Sequence, residues 1–412
     1  ALYLPDLAGG GMERVMLYLA EDFLVSGYQV DLVVSQAEGA YREQLPHGIG
    51  IVVLERASSL NSRLLALRAS PTPAWGALLR PVLLARKSGK QLLYLSALVR
   101  YLRSQQPDAL IAAYPYCNLV ALWASRLARK PVRIGITEHN MLSRKVADKS
   151  GKGAQWRSLP PLIGRMYAQA DAITAVSDGV ADDLAITAGL PRGAIDTVYN
   201  PVVTPGLAVR AAAPAPHPWL EDDGSPVIVA AGRLVPQKNF TLLLNAFARL
   251  REQRAVRLII LGEGPERPRL ETLTHTLGVS GDVALPGFVD NPYAAFSRAA
   301  LFVLSSDYEG LPGVLIQALA CGCPVVSTDC PSGPTEILQG GRFGELVPVD
   351  DIEALTAAMT RTLDAPLPAE TLRRRGGEFS LERSAKRYLQ LLLPTEFART
   401  EKLNPDGKAS SM

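Results

Sequence analysis

The stretch VIVAAGRLVPQKNFTLLLNAFARLREQRAVRLIILGEGP, residues 227–265, decides the fold. Its first five residues, Val227–Ala231, are an apolar run that predicts a buried strand, and Phe240–Gln253 has the periodicity of a helix. A second apolar run, Leu258–Gly262, predicts the next strand. Because parallel strands need a crossover connection, usually a helix, this order is typical of an α/β domain with a parallel sheet.

The same alternation continues on both sides of this stretch. Further strands are predicted at Val283–Leu285, Leu301–Leu304 and Pro324–Ser327 after it, and at Val30–Val34, Ile49–Leu54, Ala109–Ala113, Val132–Thr137 and Ala172–Val176 before it. Further helices are predicted at Glu13–Ser26, Asn118–Ala128, Pro265–Leu277, Gly310–Ala320, Asp351–Leu363 and Leu381–Leu393. Such alternation places helices on both faces of a parallel sheet.

The two series are separated by VVTPGLAVRAAAPAPHPWLEDDGS, residues 202–225, which lacks periodicity and predicts a linker. We therefore expect two doubly wound, Rossmann-like α/β domains, at residues 1–200 and 201–380, facing each other across a cleft. A helix at 381–394 is expected to pack back toward the first domain, and residues 395–412 are expected to form a flexible tail. In doubly wound folds, ligands bind at the carboxyl ends of the strands.

Composition excludes several classes of protein. The chain has 412 residues, 48% hydrophobic content and a net charge of +3, values typical of folded domains rather than disordered chains. Its four cysteines are too few for a disulfide framework, so we expect reduced thiols in the core and no metal site. No apolar run reaches the about 18 residues that a membrane span needs, and because no charged n-region precedes an apolar stretch we expect no signal peptide. We therefore expect a cytoplasmic protein, and we expect its natural start to precede Ala1.

Charge is concentrated in residues 56–107, which contain nine basic residues, interspersed leucines and no acidic residue. Two interpretations stay open: a solvated helix face, or a surface that docks on the inner face of an anionic cytoplasmic membrane. Nucleic-acid binding is not expected, because no nucleic-acid motif accompanies the charge.

Candidate site residues follow the predicted strands. In the first domain these are a glycine-rich loop running into a helix, whose backbone amides favour an anion, and a histidine at a strand end: Gly9, Gly10, Gly11, Arg14 and His139. In the second domain Arg233 and Lys238 lie on one loop and could neutralise a diphosphate. Glu309 begins a predicted helix, and Gln317 lies two turns further along nearly the same face. Walker, zinc-protease, nucleophile-elbow and dinucleotide motifs are absent from the sequence.

These motifs together resemble the retaining glycosyltransferases of family 4, which have the two-domain GT-B fold. The matching strings occur in the family's order: GGGMERV at 9–15, TEHN at 137–140, ADAITAVS at 170–177, VYNPV at 198–202, GRLVPQKN at 232–239, GEGP at 262–265, LPGFV at 285–289 and SSDYEGLP at 305–312. The string DCPSGPTE at 329–336 is similar to that of the subgroup that assembles bacterial polysaccharide, lipopolysaccharide and lipid-linked oligosaccharide.

The resemblance implies an enzyme that transfers a hexose from a nucleotide sugar, a UDP-sugar by analogy, to a saccharide or polyprenyl-diphosphate-linked acceptor. It implies retention of anomeric configuration and no metal cofactor. His139, Glu309, Arg233 and Lys238 would be catalytic. The remaining donor-binding residues would be Gly232, Gly264, Val289, Gly310, Leu311, Pro312, Gly313 and Gln317. The first glycine loop would lie near the acceptor and phosphates.

One position departs from the family pattern, which has glutamate where this chain has Gln317. An amide can still bond a ribose hydroxyl, but without charge assistance. Two alternatives to a transferase therefore remain: a nucleotide-sugar epimerase with the same fold, and a catalytically impaired sugar-binding homologue.

Overall fold

The computed structural model describes residues 1–8, 10–39, 41–42, 45–85, 89–147, 156–221 and 224–403. Gly9 of the glycine loop, Arg86 and Lys87 of the basic stretch, and residues 404–412 lie outside these ranges. The chain divides into two compact units, Ala1–Pro201 with Leu381–Met412, and Val202–Ser380. Each unit contains one parallel sheet.

Unit 1 is built on a seven-stranded sheet in the order β3-β2-β1-β4-β5-β6-β7. The strands are β1 Leu2–Leu4, β2 Asp31–Val34, β3 Gly50–Val53, β4 Ala109–Ala113, β5 Arg133–Glu138, β6 Ala172–Ala175 and β7 Ile195–Thr197. The helices are α1 Gly11–Val25, α2 Ser59–Ala69, α3 Trp75–Leu78, α4 Leu95–Gln105, α5 Pro115–Ala128, α6 Leu142–Ala147, α7 Pro160–Tyr167 and α8 Asp178–Ala188. Single turns lie at Thr72–Ala74, Leu79–Leu83, Lys90–Tyr94 and Arg192–Ala194.

Unit 2 has a six-stranded sheet in the order β10-β9-β8-β11-β12-β13. Its strands are β8 Val227–Ala231, β9 Arg257–Leu261, β10 Val283–Gly287, β11 Leu301–Leu304, β12 Val325–Thr328 and β13 Glu345–Val347. Its helices are α9 Leu207–Ala211, α10 Phe240–Gln253, α11 Arg267–Thr276, α12 Tyr293–Phe296, α13 Gly313–Cys321, α14 Pro334–Leu338, α15 Ile352–Asp364 and α16 Ala369–Gly377. Short 3-10 turns lie at Pro218–Leu220 and Pro236–Lys238.

The last part of the chain returns to unit 1 as α17 Leu381–Leu392 and α18 Pro394–Leu403. The apolar face of α17 joins the core of unit 1 through Leu381, Ala385, Tyr388 and Leu392. Gly135 on β5 allows this approach, because a Cβ there would lie 2.8 Å from Leu392 Cδ1. A tail was expected from residue 395, and its first part is instead helical through Leu403.

The central strands are buried, which explains why their sequences are continuous apolar runs. Every residue of β8 and β11 is buried, and the helices on either face cover them with leucine, isoleucine and phenylalanine side chains. The four cysteines are buried and unpaired, as expected. None of the helices in the described part of the chain is long and apolar enough to span a membrane.

The prediction of an irregular linker at 202–225 is wrong for part of this segment. Its alanine-rich part forms α9, which packs on α12 of unit 2 and therefore belongs to that unit. Arg210 stabilises this contact, since its guanidinium lies 4.7 Å from the ring centre of Tyr293 and donates to the Asp290 carbonyl at 2.7 Å.

Candidate active site

A buried ion pair marks the carboxyl edge of the unit 2 sheet. Lys238, in the loop after β8, donates from Nζ to Glu309 Oε1 at 2.5 Å, and the two side chains are only 17% and 9% exposed. Ser306 donates to the same oxygen at 2.6 Å. Because removing charges from water is costly, such a pair is stable only with good geometry and further hydrogen bonds, which Ser306 supplies.

Asn239 holds the loop of Lys238 in place. Its backbone is left-handed, with φ 44°, a conformation that asparagine tolerates better than most residues. The side chain caps α10 by accepting from Leu242 N at 3.1 Å, and it donates to Asp307 and Asp350 at 2.7 Å each. Lys238 is therefore fixed by its neighbour as well as by its own contact.

The glycines of this edge permit close approach of two loops. Gly262, with φ 150°, faces the loop after β8 so closely that a Cβ would lie 1.9 Å from the Gly232 carbonyl oxygen. A Cβ on Gly264 would lie 2.3 Å from the Leu234 carbonyl oxygen. The same two loops are joined by a hydrogen bond from Leu234 N to the Glu263 carbonyl at 2.8 Å. The GEGP string is therefore required by backbone packing.

Helix α13 begins beside Glu309. Its first residue is Gly313, and the N-cap residue Pro312 makes no side-chain capping hydrogen bond at this N-terminus, where backbone N–H groups favour an anion. The preceding residues Gly310, Leu311 and Pro312 are buried. Ser332 fixes this segment by donating to the Gly310 carbonyl at 2.7 Å.

The other predicted residues of unit 2 are placed less tightly. Gln317 is half-buried on α13 and donates from Nε2 to Tyr293 Oη at 3.1 Å. Arg233 is exposed, and the structure gives its side chain no hydrogen bond or ion pair among the described residues. Val289 is half-buried beside Phe288, whose ring is 73% exposed. Contacts therefore join Lys238 to Glu309 but do not join Arg233 to them.

In unit 1, the TEHN string combines a buried carboxylate with a neutral histidine. Glu138 Oε1 accepts from Tyr167 Oη at 2.5 Å and from Asn118 Nδ2 at 3.0 Å, and burial raises the pKa of Glu138. Burial and the nearby Lys145 cation lower the pKa of His139 to about 3. His139 Nε2 is buried without a hydrogen-bond partner among the described residues. This nitrogen of the imidazole is therefore available to form one hydrogen bond with a ligand.

Lys145 lies beside this pair. Its Nζ is 5.5 Å from the ring centre of Tyr114 and 5.2 Å from that of Trp156, distances typical of cation–π contacts. Burial lowers the pKa of Lys145, while the Glu138 carboxylate opposes that shift. Tyr114 has φ 82°, a strained conformation for a bulky residue, at the carboxyl end of β4.

The glycine loop runs into α1 with Gly10 as its N-cap. Gly10 leaves room for Glu13, since a Cβ there would lie 2.3 Å from Glu13 Oε2. Burial raises the pKa of Glu13, and Oε2 has no partner among the described residues. Gly11 is exposed, and Arg14 donates from Nε to Tyr41 Oη at 2.9 Å.

Most of the supporting residues were not predicted from the sequence: Glu13, Asn118, Lys145, Tyr167, Asn239, Tyr293 and Ser306. One signal was available for Asn239, because asparagine immediately before an amphipathic run is typical of a helix cap. Asn118, Tyr167 and Tyr293 lie 20 or more positions from the site residues whose side chains they contact, so no local pattern marks them. Within the described residues, no group of three or more His, Cys, Asp or Glu side chains could hold a metal ion.

Comparison with known proteins identifies the family. A model described as Glycosyltransferase Family 4 matches residues 9–204, and one described as Glycosyl transferases group 1 matches residues 225–365. The chain is 34% identical over 205 residues to the N-acetylgalactosamine-N,N'-diacetylbacillosaminyl-diphospho-undecaprenol 4-alpha-N-acetylgalactosaminyltransferase of Campylobacter jejuni. That match covers 49% of the chain and 53% of the relative, so the chain spans about half the length of that protein.

Solved structures share the fold of the whole chain. A glycosyltransferase from Rickettsia africae has a TM-score of 0.73 at 15% identity, covering 97% of this chain and 98% of that one. HepE from Anabaena, solved in complex with UDP, has a TM-score of 0.70 at 20% identity, covering 95% of this chain and 99% of that one. The two parallel-sheet units are those of the GT-B fold. The chain therefore belongs to the glycosyltransferases, with a family 4 domain followed by a group 1 domain.

Proposed function

We propose that the protein transfers a hexose from a UDP-sugar to a saccharide or lipid-diphosphate-linked acceptor, with retention of anomeric configuration and without a metal ion. The observation that carries the proposal is the ion pair of Lys238 and Glu309 beside the uncapped N-terminus of α13. A cation and a helix N-terminus suit the phosphates of a nucleotide sugar, and a carboxylate suits sugar hydroxyls.

The proposed role of Lys238 toward the donor follows from the negative charge of the leaving group. A departing diphosphate gains negative charge in the transition state, and groups that are already oriented stabilise it without reorganisation. Lys238 is held by Glu309, and its loop is held by Asn239, so it meets this requirement. Arg233 is free to turn toward the phosphates when a donor is present. The UDP seen in HepE supports uracil as the base of the donor nucleotide.

The acceptor side is assigned to unit 1. His139 is neutral with an unpartnered nitrogen, so it can hold a hydroxyl while the leaving phosphate takes the proton on the same face of the sugar. The Campylobacter relative acts, by its name, on a diphospho-undecaprenol-linked sugar. We infer a similar lipid-linked acceptor for this chain, in bacterial cell-surface glycan synthesis, with the enzyme in the cytoplasm at the membrane surface.

A donor panel tests the proposal. The purified protein is incubated with UDP- and GDP-sugars, with and without a bacterial membrane extract and with EDTA, and nucleotide release is measured. Release that requires the extract and persists in EDTA is expected. NMR of the product should give the donor's anomeric configuration. Conversion of the donor without an acceptor would instead indicate an epimerase, and binding without turnover would indicate an impaired homologue.

Variants at the ion pair locate the site. Lys238→Ala and Glu309→Ala should each lower turnover by roughly 30- to 1000-fold, which corresponds to about 2–4 kcal/mol of transition-state stabilisation. Arg251→Ala is the matched control, because Arg251 pairs with Asp282 at 2.8 Å at the other end of α10. Equal rates for all three variants would contradict the assignment.

A further inference from the structure

Unit 1 contains a concave surface that the proposed function does not use. It is a cavity of about 730 Å³ between α2, α4 and α5, and five arginines line it: Arg68, Arg100, Arg103, Arg126 and Arg129. The last turns of α4 and α5 contribute to it, and these turns precede β4 and β5. The cavity therefore lies at the amino edge of the sheet, whereas His139 follows the carboxyl end of β5.

The positive charge of this arginine cavity is poorly compensated. None of the described residues that line it is acidic. Arg100 donates to Glu55 at 2.6 Å, but both side chains are more than half exposed, so this pair neutralises little. The structure gives the side chains of Arg68 and Arg129 no hydrogen bond or ion pair among the described residues. Five guanidinium groups thus share one carboxylate.

Two of the arginines have a structural role that accounts for their positions. Arg103 donates to the Leu127 carbonyl at 2.7 Å, and Arg126 donates to the Ala69 carbonyl at 2.6 Å, so both satisfy carbonyls at helix C-termini. Neither contact uses a counter-charge. Arg68 and Arg129 make no such contacts with the described residues. Their positive charges repel those of the other three arginines, and a bound anion would reduce this repulsion.

Exposed apolar residues adjoin the cavity. Leu60 and Leu64 are 70% and 57% exposed, and they lie eight and four residues, respectively, before Arg68 on one face of α2. Trp75 is 48% exposed and donates from Nε1 to the Ser70 carbonyl at 3.1 Å, which places it near the end of α2. Leucine and tryptophan beside arginine are typical of surfaces that meet lipid headgroups.

We infer that the arginine cavity binds a phosphate group, carried by an anionic lipid or by a free phosphorylated compound. Planar guanidinium groups match phosphate oxygens bidentately, and several of them around one concavity can hold more than one oxygen. The site is separate from the proposed donor site and does not depend on it.

The test compares wild type with Arg68→Gln/Arg129→Gln and with a control, Arg165→Gln/Arg374→Gln, that carries the same loss of charge at exposed positions elsewhere. One arm measures cosedimentation with vesicles of phosphatidylglycerol and phosphatidylcholine, against phosphatidylcholine alone. The other arm titrates inorganic pyrophosphate by calorimetry. All three proteins retain Lys238 and Arg233, so any pyrophosphate bound in unit 2 is common to them. Thermal melting confirms that each variant is folded.

The cavity variant should weaken binding about thirtyfold in at least one arm, while the control changes binding less than threefold. A loss confined to the vesicle arm assigns the phosphate to a lipid, and a loss confined to pyrophosphate assigns it to a soluble compound. No binding by wild type in either arm, or equal weakening in cavity variant and control, would overturn the inference.

Discussion

Lys238 and Glu309 are 71 positions apart in the sequence, but Lys238 Nζ lies 2.5 Å from Glu309 Oε1 in the structure. At the scale of the residue, the site depends on such contacts, in which a buried side chain finds its hydrogen-bond partner far away in the sequence. Glu138 has the same dependence on Tyr167 and Asn118. The resemblance to family 4 predicted Glu309 and Lys238, but it did not predict that their side chains pair with each other across 71 positions.

His139 should make unit 1 sensitive to acid. Its folded pKa is about 3, below the value near 6.5 expected when unfolded, so the unfolded chain binds more protons between these limits. Stability contributed by neutral His139 is therefore complete above about pH 6.5 and is lost as the pH falls. By pH 5 the loss should reach about 2 kcal/mol.

Urea unfolding of unit 1 at pH 7 and pH 5 measures this effect. His139→Gln should reduce the difference between the two pH values, whereas replacing the exposed His275 by glutamine should leave it unchanged. An unaltered difference in His139→Gln would assign the acid sensitivity to other groups.

Gln317 tests the one departure from the family pattern. Gln317→Glu should keep or tighten UDP binding by up to about fivefold, because a carboxylate makes stronger hydrogen bonds to hydroxyl groups than an amide does. The contact with Tyr293 survives with its direction reversed, since the phenol can donate to the new carboxylate. Calorimetric titration with UDP measures the change, with Tyr293→Phe as the comparison. A large loss of affinity in Gln317→Glu would give Gln317 a different role.

At the scale of the element, the predicted and observed bounds of strands and helices agree best where the apolar pattern is long or the element is fully buried. Strand β8 and helix α10 match their predicted bounds, because Val227–Ala231 is buried on both faces and Phe240–Gln253 has a clear apolar face. The edge strands β7 and β13 were missed. Each has three residues, too few to establish a period, and their pairing partners rather than their composition define them.

Gly262 should be irreplaceable within its loop. Gly262→Ala places a methyl group 1.9 Å from the Gly232 carbonyl oxygen and strains a backbone at φ 150°, so unit 2 should lose about 2 kcal/mol or more. Gly281→Ala is the control, because its Cβ would meet no atom within 4 Å. Equilibrium denaturation of both variants measures the difference in their free energies of unfolding. Similar values for the two variants would show that the loop can accommodate a methyl group at position 262.

At the scale of the whole molecule, the two units differ in how the chain builds them. Unit 2 is continuous, whereas unit 1 takes α17 from the far end of the sequence. The boundary near residue 200 was predicted from the composition of residues 202–225. That part of this segment forms the helix α9 was not predicted, since an alanine- and proline-rich segment looks the same whether it crosses between domains or covers one of them.

Helix α17 should be essential to unit 1 only. Leu392→Ala removes a buried side chain that packs on Gly135 and should cost unit 1 about 2–5 kcal/mol. In calorimetry we expect the transition of unit 1 to move to lower temperature while that of unit 2 stays in place. The partly exposed Gln390, on the same helix, provides a comparison with a smaller expected effect when it is replaced by alanine. A shift of the unit 2 transition instead would contradict the division of the chain.

The return of the chain also fixes an order of events during synthesis. Residues 202–380 leave the ribosome as a complete sequence for unit 2, whereas the nascent unit 1 lacks its closing helix until residue 392 has emerged. At translation speeds of roughly 5–20 residues per second, unit 1 waits on the order of ten seconds or more with part of its apolar core uncovered. Unit 1, most of which is synthesised before unit 2, is therefore the unit that finishes folding last, and it is the natural client for chaperones.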